Sequence, residues 1–484
     1  MDENKNPQSS GGTSENNEFN FVIEDPYAGK VSSGEDRHHH HHHHHHHSRS
    51  HHSGRKKKKH STHKKVSKFK EPSIRVLTVW VAVLTLICVV LTIWNFELAS
   101  SVRVSSDKIK ALSANSGAYV ENGSESDSSD EHIPGFVKNE AQKVVDSVAA
   151  LQNEETISFI AVSDAHLKLD DERSLESIKH AGQAMKLIRD GLEIDFAVAL
   201  GDMTWGANNT PIDTGIKEIE KVNEFIADGF DGIPNMRLIG NHDTLEQSSV
   251  KNGKVLDAAD LYDVIGKYNE GAVFPAEQKG YFYRDIDDAK LRLICLNTSE
   301  IDIDESGIDL DIKPEQVKWL ADSLDLSAKA DAADWKILIL SHHPLNWYET
   351  YAEMVDVLDA YSFGTAGSVN LEGVDVSFDF TGKNAAKIIA NVHGHLHNYR
   401  TSTIGISKIP TVCIPNAAYN RNNEIGTLYS YSEDIKNKYG EKETYEKTEN
   451  SADDTAFSVV TIDLKYNRIY VTNYGAGYDR DVSF

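Results

Sequence analysis

The chain has 484 residues, with 50 Lys/Arg against 75 Asp/Glu and a formal charge of −25. Residues 1–75 hold 14 basic and 9 acidic side chains, so residues 76–484 carry −30. A body this acidic repels a polyphosphate backbone and argues against DNA or RNA as a partner, while a small phosphorylated molecule stays open because bound cations can dominate a local field.

In chain order, residues 1–73 are polar and rich in Ser, Asn, Gly and His, with no apolar period, and are expected to be a disordered tail. The tail contains the unbroken run His38 to His47, readable as a native segment or an expression tag, followed by a basic cluster from Arg55 to Lys70. Val76 to Phe96 is uncharged and long enough for a helix to span about 30 Å of hydrocarbon, so 74–98 is expected to be a single transmembrane helix. Ala99-Ser100-Ser101 offers the rival reading of a cleaved signal peptide, but the long apolar run and long preceding tail favour an uncleaved anchor. Basic residues before the span put the N-terminus in the cytoplasm and the rest outside, at the cell membrane. Residues 99–155 read as a stalk with a short amphipathic helix at 136–151, and 156–484 as the folded domain.

From Thr156, apolar runs alternate with helical spacing: strands at 157–162, 194–200 and 236–239, helices at 171–191 and 214–227. Later strands are expected at 291–296, 335–340, 386–392, 408–414, 457–463 and 468–473. This is an α/β pattern with a more antiparallel end. Cys88, Cys295 and Cys413 lie in apolar runs and read as small buried side chains.

Seven of the nine histidines beyond the tail fall in short clusters at strand ends. The clusters are Asp164-Ala165-His166, Gly201-Asp202, Gly240-Asn241-His242-Asp243, Ser341-His342-His343-Pro344 and His393-Gly394-His395-Leu396-His397. Carboxyl ends of strands are where open α/β sheets collect ligands. Alternation along an extended segment would put both members of Asp164-x-His166, and of His395-x-His397, on one side, where two ligands can converge on one ion. Mixed oxygen and nitrogen donors suit Mn²⁺, Fe²⁺ or Zn²⁺, and Asp202 is placed to bridge two such ions. Taken singly each cluster has an ordinary explanation as a turn or a structural histidine; five in succession do not. His393 is read as supporting its loop.

The order DxH, GD, GNH[DE], HxP, GHxH, from Asp164 to His397, resembles the signature of the calcineurin-like metallophosphoesterases. The resemblance implies a four-layer α/β/β/α sandwich with two mixed sheets. It implies one metal held by Asp164, His166, Asp202 and His397, and a second by Asp202, Asn241, His342 and His395. His242 would then be proton donor or phosphate stabiliser, with Asp243 orienting it. The purple acid phosphatase branch has Tyr three residues after the GD aspartate; Trp205 stands here, so the chain departs from that branch. The implied reaction is in-line attack on phosphorus by a water activated between two ions about 3.5–4 Å apart.

The substrate is expected to be a small phosphorylated molecule, either phosphomonoester or phosphodiester, with cyclic nucleotides and glycerophosphodiesters as specific alternatives. A non-catalytic metal-binding surface protein is the rival class. Trp347, Tyr348, Tyr351, Tyr361 and Phe363 lie between the last two clusters, where they would stack a nucleobase or pack a subdomain. Arg480 is a further candidate phosphate contact.

Overall fold

The computed structural model describes residues 132–207, 209–246, 255–275, 278–304, 307–346, 351–424 and 444–484. The expected tail, the run Val76 to Phe96, Cys88 and most of the stalk lie outside these residues. Among the described residues, no helix is long and apolar enough to cross a membrane. All the described residues belong to one unit, Thr85–Phe484.

The apolar runs become the inner strands of two mixed sheets. In chain order the strands are β1 Thr156–Val162, β2 Phe196–Ala199, β3 Asn235–Arg237, β4 Phe282–Ile286, β5 Leu291–Cys295, β6 Lys336–Ser341, β7 Lys387–His393, β8 Thr401–Ile404, β9 Ile409–Cys413, β10 Ala456–Asp463, β11 Arg468–Gly475 and β12 Arg480–Ser483. The first sheet runs β12-β11-β10-β1-β2-β3, and the second β8-β9-β7-β6-β5-β4. In the first, β1, β2 and β3 are parallel while β10 enters antiparallel to β1. In the second, β9, β7, β6 and β5 are parallel, with antiparallel β8 and β4 at the edges.

The inner faces meet through Phe159, Phe196, Leu293, Leu338, Val392 and Val460, all fully buried. Helices α1 Gly135–Ala149, α2 Glu172–Gly191 and α3 Ile212–Phe230 cover the outer face of the first sheet. Helices α4 Pro314–Leu324 and α5 Ala352–Phe363 cover the second. The layers are therefore helix, sheet, sheet, helix, the arrangement that the resemblance implied. Runs buried on both faces explain why the central strands read as continuous apolar segments.

Helix α1 differs from its expected place in a linker. Val137, Ala141, Val144 and Val148 recur every three or four residues, are fully buried, and join the same core as Ile178 and Met185 of α2. The folded unit therefore includes residue 135. Cys295 and Cys413 are buried free thiols, as their settings suggest. Tyr351 and Tyr361 are also core residues: their hydroxyls donate to the carbonyls of Thr298 (2.7 Å) and Ala386 (2.9 Å), so neither stacks a substrate. Trp347 and Tyr348 lie outside the described residues.

Candidate metal centre

Loops leaving the carboxyl ends of β1, β2, β3, β6 and β7 bring Asp164, His166, Asp202, Asn241, His342, His395 and His397 together. Asp164 N–H donates to Gly201 O (3.0 Å) and His166 N–H to Asp202 O (3.0 Å), which lays the first two loops side by side. Their side chains form two groups. In the first, His397 Nε2 lies 3.1 Å from both Asp164 Oδ1 and His166 Nε2. In the second, His342 Nε2 lies 3.2 Å from both Asn241 Oδ1 and Asp202 Oδ2, and His395 stands beside His342 with ring centroids 5.2 Å apart. Asp202 Oδ2 is also 3.7 Å from His166 Nε2, so one carboxylate oxygen faces both groups.

Backbone conformation produces this convergence, and not by the extended alternation that the spacing suggested. Asp164, His166, Asp202, His395 and His397 have φ of 55°, 41°, 57°, 65° and 49°. Left-handed backbone is uncommon for such side chains and concentrates at functional sites. The turned backbone sends His395 toward His342 and His397 toward Asp164 and His166, so these two histidines serve different groups. Gly394 permits the close approach: a Cβ there would collide with the Ser163 hydroxyl and the Asp164 carboxylate.

The donor chemistry fits metal ions. Leu200 O lies 2.8 Å from His342 Nδ1; a carbonyl only accepts, so Nδ1 carries a proton and Nε2 faces two oxygen acceptors. That contact needs either a proton on Nε2 or a metal ion in its place, and an outward N–H to a carbonyl is how metal-binding histidines are usually held. Burial disfavours an imidazolium there, yet the Asp202 carboxylate overrides it and raises His342 to about 9. Burial lowers His395 to about 3 and His166 well below its usual value, keeping both neutral as ligation requires. Burial works against the Asp202 carboxylate too, but the charges of His342 and His242 hold its pKa well below the usual range. Donor atoms about 3 Å apart match the edges of a coordination shell with ligands at about 2.0–2.2 Å.

His242 is buried at the same end, its ring centroid 4.5 Å from that of His166. Its Nδ1 donates to Trp205 O at 2.5 Å, and its backbone N–H to Asp202 Oδ1 at 2.8 Å. The expectation that Asp243 orients this ring needs correcting. Asp243 accepts four backbone N–H groups, from Asp202 (2.9 Å), Met203 (2.8 Å), Thr204 (3.2 Å) and Gly240 (2.9 Å). It ties two loops together while the Trp205 carbonyl aims the imidazole. Burial and the neighbouring Asp202 charge push the Asp243 carboxyl up to about 7.

Arg480 is likewise not at the phosphate position: its guanidinium donates to Cys413 O and lies over the Tyr399 ring, 5.2 Å from the centroid. His343 joins His342 and His395, 4.1 Å from the latter by ring centroids, and its backbone N–H donates to Thr298 Oγ1 at 3.0 Å. His393 Nδ1 lies 3.0 Å from Gly394 O, within the loop it was expected to support. Three residues at the centre carry no sequence signal of their own. Glu218 of α3 accepts from the Thr204 hydroxyl and, at 3.3 Å, from Leu169 N–H, buttressing both the Asp164 and Asp202 loops. Lys168 and Arg421 lie over the Trp205 ring.

Residues 157–399 match the family model described as calcineurin-like phosphoesterase. No curated protein matches the chain. Among solved structures, a dimetal phosphatase from Danio rerio aligns at 12% identity and TM-score 0.43, covering 68% of this chain and 99% of that one. A conserved uncharacterized protein from Streptococcus pneumoniae, a predicted phosphoesterase, aligns at 11% identity and TM-score 0.24, covering 69% and 100%. The NAD nucleotidase of Haemophilus influenzae aligns at 13% identity and TM-score 0.29, covering 68% and 49%.

Proposed function

This chain belongs to the calcineurin-like phosphoesterase family and is a metal-dependent phosphoric ester hydrolase, and we propose that it uses two divalent ions about Asp202 to hydrolyse a small phosphorylated substrate. The observation that supports the reading is the position of Asp202 Oδ2, which faces His342 at 3.2 Å and His166 at 3.7 Å. Asp164, His166 and His397 would hold one ion, Asn241, His342 and His395 the other, and Asp202 both. Oxygen and nitrogen donors without thiolate suit Mn²⁺, Fe²⁺ or Zn²⁺. Bound there, the ions would supply Lewis-acid charge at the phosphoryl oxygens and lower the pKa of water.

The chain's own groups do the positioning. Glu246 takes the Asn241 amide N–H at 3.4 Å, which turns Asn241 Oδ1 toward His342. The Trp205 carbonyl takes the Nδ1 proton and aims the ring, so Nε2 can give a proton to the departing ester oxygen only from the imidazolium, which burial disfavours and the Asp202 charge and the Trp205 carbonyl favour. Metal analysis of the purified domain, alongside turnover before and after chelation, tests the reading. The expected result is two ions per chain, with turnover lost on chelation and regained with Mn²⁺. One ion at full turnover, or turnover indifferent to chelation, would overturn it.

We further propose that residues 76–96 anchor the enzyme at the cell membrane with the catalytic domain outside the cytoplasm. The support is the uncharged run and the basic cluster just before it. Protease added to intact cells should cut within 105–130 and release an active fragment. A fragment protected until the membrane is opened would reverse the orientation.

A further inference from the structure

Two cations share one aromatic ring beside the centre. Lys168 Nζ lies 3.9 Å from the Trp205 ring centroid and the Arg421 guanidinium carbon 5.1 Å. That ring stands 6.0 Å from the His166 ring and 6.2 Å from the His242 ring, and the same residue's carbonyl holds His242. Arg421 is brought there by its loop: Ala417 N–H donates to Ser163 O (2.9 Å) and Ala418 N–H to Asp164 O (3.1 Å). The loop after β9 is thereby stitched to the first metal-binding loop. Burial lowers the pKa of the Arg421 guanidinium, and the charges of Asp202 and Asp164 oppose it.

Among the described residues, neither Lys168 Nζ nor the Arg421 guanidinium has a hydrogen-bond or carboxylate partner. Other arginines drawn into the fold have them: Arg237 bonds Asn223, Arg292 bonds Asp285 at 2.7 Å, and Arg173 bonds Asp454 at 3.1 Å. In a domain with a large acidic excess, two unpaired cations on the ring beside the centre call for an anion. A cation–π contact orients each of them without neutralising it.

We propose that Arg421 and Lys168 bind the outer oxygens of a phosphomonoester dianion, which makes phosphomonoesters the substrate class of this centre. The proposal rests on the two-ion reading. A monoester brings two negative charges and three unesterified oxygens, so cations beyond the metals gain most from it. A diester brings one charge and a second ester group that must fit beside Trp205. Trp205 and Lys168 also line a groove of about 1050 Å³ that continues past Arg173 and Thr214.

The test uses the Mn²⁺-loaded enzyme with Arg421→Gln, Lys168→Gln and the conservative Arg421→Lys. The readouts are metal per chain, inhibition by inorganic phosphate, and kcat/KM on 4-nitrophenyl phosphate and bis(4-nitrophenyl) phosphate. Charged hydrogen bonds of this kind are worth roughly 10–100-fold. The expected result is that loss on the monoester with an equal weakening of phosphate inhibition, a diester change under about threefold, partial recovery in Arg421→Lys, and unchanged metal content. Parallel losses on both esters, unchanged phosphate inhibition, or a wild-type preference for the diester would overturn the proposal. If Arg421→Gln fails to fold, Lys168→Gln, on the groove wall, decides the same comparison. A wild-type chain without two ions would instead overturn the two-ion reading, and the metal count tells the two failures apart.

Discussion

Asp202→Asn should strip metal from the protein and lower turnover on the order of 10³-fold or more. The amide can still accept the His242 backbone N–H that now reaches Oδ1 at 2.8 Å. It then presents an NH₂ group, with no lone pair to give, where Oδ2 faces His342 and His166. Losing an outer partner of a metal ligand already costs about 10–100-fold in affinity, and losing a shared ligand should cost more. Metal analysis on the variant, with circular dichroism to confirm folding, checks this. A variant that keeps two ions and normal turnover would show that Asp202 is not shared.

His242→Ala should keep both ions and the fold but lose about 10²–10⁴-fold in turnover, the usual worth of a positioned proton donor. Only the side chain is removed, so the backbone N–H that supports Asp202 remains. The loss should be large for an alkyl phosphate, whose alkoxide needs a proton, and smaller for 4-nitrophenyl phosphate. Equal losses would assign His242 to phosphate positioning instead. The rival role is visible in the geometry: His166, Asp202 and His242 themselves lie close enough to share an ion. Metal loss in His242→Ala would establish that rival.

The strands of the two sheets that went unread share a cause. Strands β4, β8 and β12 went unread, and each is an edge of its sheet. An edge strand is partly solvated and mixes polar with apolar residues, as Arg284 and Asp285 do in β4, so it lacks the apolar run that marks an inner strand. Asp243 was given to its chain neighbour His242, whereas its carboxylate bonds backbone from Asp202 to Thr204 in another loop. Arg480 was read as a phosphate contact, but its guanidinium is occupied by Cys413 O.

By itself the sequence determined the chemistry and the interior: which side chains can ligate metal, in what order they come, and which runs are buried on both faces. These follow from residue type and local spacing, because ligand atoms and apolar surface belong to the side chain. The tertiary structure decided direction and partnership. Left-handed backbone at His395 and His397 sends two neighbours to different groups, and pairing of Ala417 and Ala418 with Ser163 and Asp164 carries Arg421 to a site whose first ligand is far away in sequence. Those outcomes depend on φ values and contacts that only the assembled sheets impose, so no local pattern encodes them.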